Sequence, residues 1–149
     1  MPDDQTSHHS LPYIAVSQAL KEITHNEALL RIDALLHPVI ESALSVPPVV
    51  VLADAGKCWL VTQDATGEWQ GEDNKIAIWT GGSWRFQAAT PGMRIRNRQN
   101  GTDISWSGTI WVSAPAIGDP LSGTIIDVEA RAAITALLSH FRMIGELAN

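Results

Sequence analysis

Apolar positions fall into three successive patterns along the chain. In the first, Ala28, Leu29, Ile32, Leu35 and Leu36 recur at helical spacing and share one face. Thr24-His25-Asn26-Glu27, just before them, has the form of a capping box, with Glu27 three residues after Thr24. Pro38 kinks or ends that helix, a further turn is expected over 39–44, and Pro47-Pro48 stops it. Upstream, Ser17 is placed to cap a short helix over 18–23. Leu11-Pro12-Tyr13-Ile14 reads as extended, because proline biases its predecessor away from helix. Residues 1–10 read as a disordered leader.

The second pattern is a series of short runs, expected as strands over 49–52, 58–62, 75–79, 83–87, 93–98, 103–106 and 109–113. Turn signals separate them, among them Asp54-Ala55-Gly56, Ala65-Thr66-Gly67, Pro91-Gly92 and Asn100-Gly101. In the third pattern Ala130, Ile134, Leu137, Phe141 and Ile144 recur at intervals of 4, 3, 4 and 3 behind a potential N-cap, Asp127. That is an a/d heptad register. It spans about two heptads, and so short a helix is marginal alone in water. It needs a partner, either its own sheet or other copies of itself. The Pro- and Gly-containing stretch before it favours other copies. The fold class expected is α+β: an N-terminal helical docking segment (11–46), a Trp-rich antiparallel β-module of hairpins (47–114), a linker (115–124) and a C-terminal oligomerisation helix (125–149).

Composition sharpens the middle segment. Residues 1–55 contain no glycine, whereas 56–123 hold ten of the 11 glycines and all six tryptophans. Four of those tryptophans form a repeat, Trp79-Thr80-Gly81-Gly82-Ser83-Trp84 and Trp106-Ser107-Gly108-Thr109-Ile110-Trp111, both W-[S/T]-G-x-x-W. A glycine at the first position of a two-residue loop suits a tight hairpin. Trp79 should then face Trp84, and Trp106 should face Trp111, as aromatic cross-strand pairs. Ala77, Trp79, Trp84 and Phe86 share the expected core face. With two Phe and one Tyr besides, at least three tryptophans should be buried.

Charge and cysteine count narrow the function. A net charge of −6 argues against non-specific nucleic-acid binding. The single cysteine, Cys58, excludes an internal disulfide framework and a C-x-x-C site, and its apolar surroundings predict a packed thiol. No run approaches the roughly 18 apolar residues of a membrane span. The acidic, polar start lacks the features of a signal peptide. A soluble protein is expected, retained in the cytosol or released by lysis, without membrane insertion.

No catalytic signature appears, and no cofactor or metal is expected. His8, His9, His25, His37 and His140 show no ligand spacing, although single histidines on an oligomer axis can become ligands. Asp64, Glu68, Glu72 and Asp73 cluster in a Gly-rich loop. A glycosidase would need two such carboxylates at fixed separation with one raised pKa, and a solvated loop is the simpler reading. Arg94, Arg96 and Arg98 alternate, so a strand places them on one face. They form either a solvated face neutralised by the acidic loop or a contact for an anionic polysaccharide or a neighbouring subunit. Indole faces also stack on sugar rings, which makes Trp106 and Trp111, with these arginines, candidate glycan-binding residues.

Several of these segments resemble a domain-of-unknown-function family of alphaproteobacterial phages and gene transfer agents. The likeness is carried by Leu11-Pro12-Tyr13, Ser17-Gln18-Ala19, Thr24-His25-Asn26-Glu27-Ala28-Leu29, Asp33-Ala34-Leu35, Ala65-Thr66-Gly67-Glu68-Trp69-Gln70-Gly71, Ile76-Ala77-Ile78-Trp79, Gly82-Ser83-Trp84-Arg85-Phe86 and Asp127-Val128-Glu129-Ala130-Arg131-Ala132-Ala133-Ile134. After Pro91-Gly92 this chain carries Arg94-Ile95-Arg96-Asn97-Arg98 where the family usually has another tryptophan. The resemblance implies a non-enzymatic tail-fibre or head-spike component involved in attachment to the host envelope. It would be assembled in the host cytoplasm and carried in the virion. The expected assembly is a homo-oligomer, a trimer by analogy with fibres, docked on other virion subunits through Thr24, His25, Asn26 and Glu27. Ile134, Leu137, Phe141 and Ile144 would form its seam, and cell-surface polysaccharide is the expected external partner. A stand-alone glycan-binding module and, more weakly, a polysaccharide-degrading enzyme are the alternatives.

Overall fold

The computed structural model describes residues 5–14, 21–120 and 127–148. The architecture is α+β: helix α1 (Lys21–Leu36), eight short strands in two four-stranded sheets, and helix α2 (Val128–Ile144). The first sheet contains β2 (Ala43–Leu44), β3 (Cys58–Val61), β4 (Ile76–Trp79) and β5 (Trp84–Gln87), in that order. The second contains β1 (Val39–Ile40), β6 (Arg94–Asn97), β7 (Thr102–Trp106) and β8 (Trp111–Ser113). Neither sheet is wholly antiparallel, because β1 pairs with β6 and β2 with β3 in parallel.

Both W-[S/T]-G-x-x-W segments close as two-residue hairpins. Thr80 N–H donates to Ser83 O (3.0 Å) around Gly81 at φ 91°, and Ser107 N–H to Ile110 O (3.0 Å) around Gly108 at φ 105°. The registers pair Trp79 with Trp84 and Trp106 with Trp111. Positive φ at the first loop position is why glycine stands there in both copies.

The expected core face of the first hairpin is only half of the arrangement. Ala77 and Trp84, with Trp59, Val61, Ala65 and Trp69, form a tryptophan cluster on one side of the first sheet. The opposite side contributes Cys58, Leu60, Ile76 and Ile78 to a second core with Ile40, Ile95 and Ile104 of the other sheet and Ala34 of α1. β3 and β4 are thus covered on both faces, so they carry near-continuous apolar runs in place of strict alternation. All six tryptophans lie among the described residues: Trp59, Trp69 and Trp84 are buried, and Trp79, Trp106 and Trp111 are half-buried.

Four local expectations are corrected. Residues 39–44 are not a helical turn. Arg96 and Arg98 N–H donate to Pro38 and Ile40 O, then Glu41 N–H donates to Cys58 O, and Leu60 and Thr62 N–H donate to Ser42 and Leu44 O. One run therefore edges both sheets and crosses between them after Ile40. Residues 49–52 are not a strand, since Pro47-Pro48 removes donors and Val51 O accepts the Trp79 indole N–H (2.9 Å) and the Asp54 N–H instead of a ladder bond. Thr24 and Glu27 form no capping box, because α1 already runs through Lys21, Glu22 and Ile23. The inward side of α1 holds Leu30, Asp33 and Ala34, whereas Ile32 and Leu36 of the expected apolar face are about half exposed. Of the helix expected over 18–23, residues 18–20 and its cap Ser17 lie outside the described residues, as does the 121–126 part of the linker and helix start.

Candidate functional site

Within the stretch expected to be a free leader, Gln5–Ser10 pack on α1 around Asp33. This carboxylate is 3 % exposed. It accepts from Thr6 Oγ1 (2.7 Å), His8 N–H (2.8 Å), His9 N–H (2.7 Å) and His9 Nδ1 (3.1 Å). Beyond it, His9 Nε2 lies 3.1 Å from His37 Nδ1, and His8 Nε2 lies 2.8 Å from Gly56 O. Burial raises the Asp33 pKa, but the hydrogen bonds from His8, Thr6 and His9 outweigh it and hold the carboxyl below its usual range.

A folded-state pKa below the unfolded value stabilises this contact fully above the ordinary carboxylate range, and the stabilisation is lost as pH falls through the depressed value. The His8 and His9 amides should therefore lose hydrogen-exchange protection below about pH 4, ahead of the sheets. In Asp33→Asn they should be unprotected at every pH. Protection that is flat with pH would refute the assignment.

The expected docking residues divide. Thr24 and His25 are exposed. Asn26 instead clamps Ile14 through both backbone groups, accepting its N–H (2.9 Å) and donating to its O (3.1 Å). Glu27 pairs with Arg31 (2.8 Å) and with Arg85 of β5 (3.4 Å). Half of this motif is therefore internal structure, tying the N-terminal segment and the first sheet to α1.

Arg94 and Arg96 share one face of β6, opposite the buried Ile95 and Asn97, and Arg98 follows the strand in a turn. Their neutralising carboxylates are not those of the 64–73 loop. Arg94 pairs with Glu146 (2.7 Å) and Asp103 (3.3 Å), Arg96 with Asp103 (3.1 Å), and Arg98 with Glu41 (2.9 Å). Arg96 also donates to Ile144 O at the end of α2 (2.8 Å). The row anchors the C-terminal end of α2 to the second sheet. Three acidic-loop residues are likewise occupied locally: Glu68 accepts the Trp84 indole N–H (3.1 Å), Asp73 accepts Ala65 N–H (3.1 Å), and Glu72 binds Lys75 (2.5 Å). Cys58 is packed in the core, and burial, reinforced by Glu41 and Asp33, pushes its thiol up to about 12. It is protonated and unreactive at neutral pH.

Helix α2 is capped at both ends. Asp127 Oδ1 accepts Ala130 N–H (2.8 Å), and Gly145 closes the C-terminus at φ 83°. Its less exposed side carries Arg131, Leu138 and Arg142. Arg142 pairs with Asp119 (2.9 Å) and donates to Ile117 O, and Arg131 donates to Pro120 O (3.1 Å). The heptad stripe faces elsewhere: Ile134 is 45 % exposed, Leu137 58 %, Phe141 42 % and Ile144 43 %. No residue of α2 is buried. Of its two possible partners, the chain's own sheet does not cover this stripe.

The two glycan candidates Trp106 and Trp111 touch each other, their ring centroids 5.3 Å apart and their planes at 57°. Trp111 lines an open cleft of about 290 Å³ between the two sheets, with Thr62, Gln63, Asn74, Ile104 and Ile110 among its walls. These positions come from three separate segments, so no local motif marks them. Asn74 alone carried a hint, as the kind of residue that tolerates its positive φ (63°) at a turn.

No described helix is long and apolar enough to cross a membrane. No curated protein matches the chain. A family model does match residues 25–112, more than half of the chain, across α1, both sheets and both tryptophan hairpins. The chain accordingly belongs to the family described as protein of unknown function DUF2793.

Proposed function

We propose that this chain is a non-catalytic structural subunit of a phage or gene-transfer-agent particle, part of a tail fibre or head spike that attaches to the host envelope. It associates with copies of itself through α2, as a trimer, and docks on other virion subunits through the N-terminal helical segment. The observation that carries the assembly reading is the open stripe of Ile134, Leu137, Phe141 and Ile144. It has heptad spacing, the side of α2 next to it is held by the linker, and both helix ends are capped. Four large apolar side chains in one line gain most when another such line covers them. On α1, Thr24 and His25 of the docking motif are exposed, and Ile32 and Leu36 are about half exposed.

Light scattering should give a mass near three times the 16.1 kDa of one chain. Leu137→Asp buries an unpartnered charge in the seam and should give monomers whose near-ultraviolet tryptophan spectrum is unchanged. A wild-type monomer at micromolar concentration would remove the assembly, and a Leu137→Asp chain that unfolds would place the stripe inside the fold. Electron microscopy of particles labelled on this subunit tests its place in a virion.

A further inference from the structure

The cleft between the sheets supports a specific ligand chemistry. Its volume of about 290 Å³ stands at the lower limit of small-molecule sites, roughly 300 Å³. That is room for one ring and not for an extended chain. Among the described residues no Asp, Glu, Lys, Arg or His lines it, so a charged ligand would meet no counter-charge from them. Trp111 forms one wall, and its indole N–H is already bound to Asn74 O (2.9 Å). The indole is therefore held by its polar edge and adds apolar ring surface to the cleft. Asn74 takes part from a left-handed backbone (φ 63°), tied down by its N–H to Val61 O (2.9 Å).

The side chains of Thr62, Gln63 and Asn74 make no hydrogen bond with any described residue. Each amide offers two donors and an acceptor, and the hydroxyl offers both roles. A purely apolar occupant would cover the partly buried Thr62 and Asn74 groups without pairing them, which is costly. A neutral ring with an apolar C–H face and a rim of hydroxyls satisfies both halves of the cleft.

We propose that this cleft binds one neutral pyranose unit of a polysaccharide, with Trp111 as the apolar wall and Gln63, Asn74 and Thr62 as hydroxyl partners. The arginine row takes no part in it, since its guanidinium groups hold Asp103, Glu146 and Glu41. The proposal rests on the attachment reading for its biological setting, but no residue of α2 lines the cleft, so recognition and assembly can be tested apart.

Nitrogen-15 NMR of the whole chain, titrated with methyl glycosides of glucose, galactose, mannose and N-acetylglucosamine and with glucuronate, tests it. At least one neutral glycoside should shift the Trp111 indole and the Gln63 and Asn74 side-chain amides at millimolar concentration, and glucuronate should not. Gln63→Ala, at an exposed position, should keep the fold and weaken binding about tenfold, which corresponds to the loss of one good hydrogen bond. The monomeric Leu137→Asp variant should bind as the wild type does. The site is overturned if no neutral glycoside shifts these signals, if Gln63→Ala binds equally well, or if shifts map to Trp106 and β6 instead.

Discussion

Trp69→Ala should lower the melting temperature of the whole β-region by roughly 10–20 °C, read by near-ultraviolet circular dichroism. Trp69 is 0 % exposed and sits on the 3-10 turn Gly67–Trp69, which folds the loop over the first sheet. Its ring meets Trp84 edge to face, with centroids 5.1 Å apart and planes at 83°. Trp84 in turn meets Trp59 (5.5 Å) and Trp79 (5.0 Å). Removing the buried indole costs about 3–5 kcal/mol, and loss of the aromatic pair is part of that. A domain of this size has a total stability of only about 5–15 kcal/mol, so the change takes a large share of it. Trp106→Ala, on a half-buried residue, should cost far less. If the two substitutions cost the same, the cluster is not the anchor of this sheet.

Gly145→Ala should release α2 while leaving the sheets folded. A Cβ at this position would run into the Arg96 guanidinium and come within 2.7 Å of Gly101 O. Its φ of 83° lies where an L-residue is strained by about 1–2 kcal/mol even in open space. Relief requires the helix end to lift, and that breaks three contacts together. Asp103 N–H loses Gly145 O (2.9 Å), Arg96 loses Ile144 O, and Arg94 loses Glu146. Leu147, buried beside them, is drawn out as well. Hydrogen exchange should show the Asp103 amide unprotected, with the β3 and β4 amides unchanged. Gly82→Ala, where an added carbon meets nothing within 4 Å, should match the wild type. Unchanged protection at Asp103 would show that the helix end is not held by this contact.

What could be read from the sequence was local. The two hairpins were legible because their registers follow from the loop itself: the glycine fixes the turn and the turn fixes which tryptophans meet. The exposed stripe of α2 was legible from its spacing, and Asp127 from its place before it. The edge strands β1 and β2 were not. Val39 pairs with Arg96 and Ala43 with Leu60, in parallel, and nothing within six residues of sequence announces a distant partner. The inward side of α1 was misread because polar residues hold it: Asn26 and Asp33 bind the N-terminal segment by hydrogen bonds, and apolar spacing does not register those. The arginine row was legible as a strand face, but its carboxylates come from Glu41, Asp103 and Glu146, far from the acidic loop in the chain. The cleft was invisible for the same reason, since Gln63, Asn74 and Trp111 meet only once both sheets are in place.

The short run that leaves one sheet at Ile40 and enters the other at Glu41 has a consequence for that gap. Ala43, on the same run, lines it. Pulling the two sheets apart along this edge would tear the backbone from β6 or from β3. The covalent chain therefore sets the spacing of the two sheets along that edge, like a gauge block between two jaws. A guest of the right girth enters without the loss of freedom that shaping a soft mouth would demand.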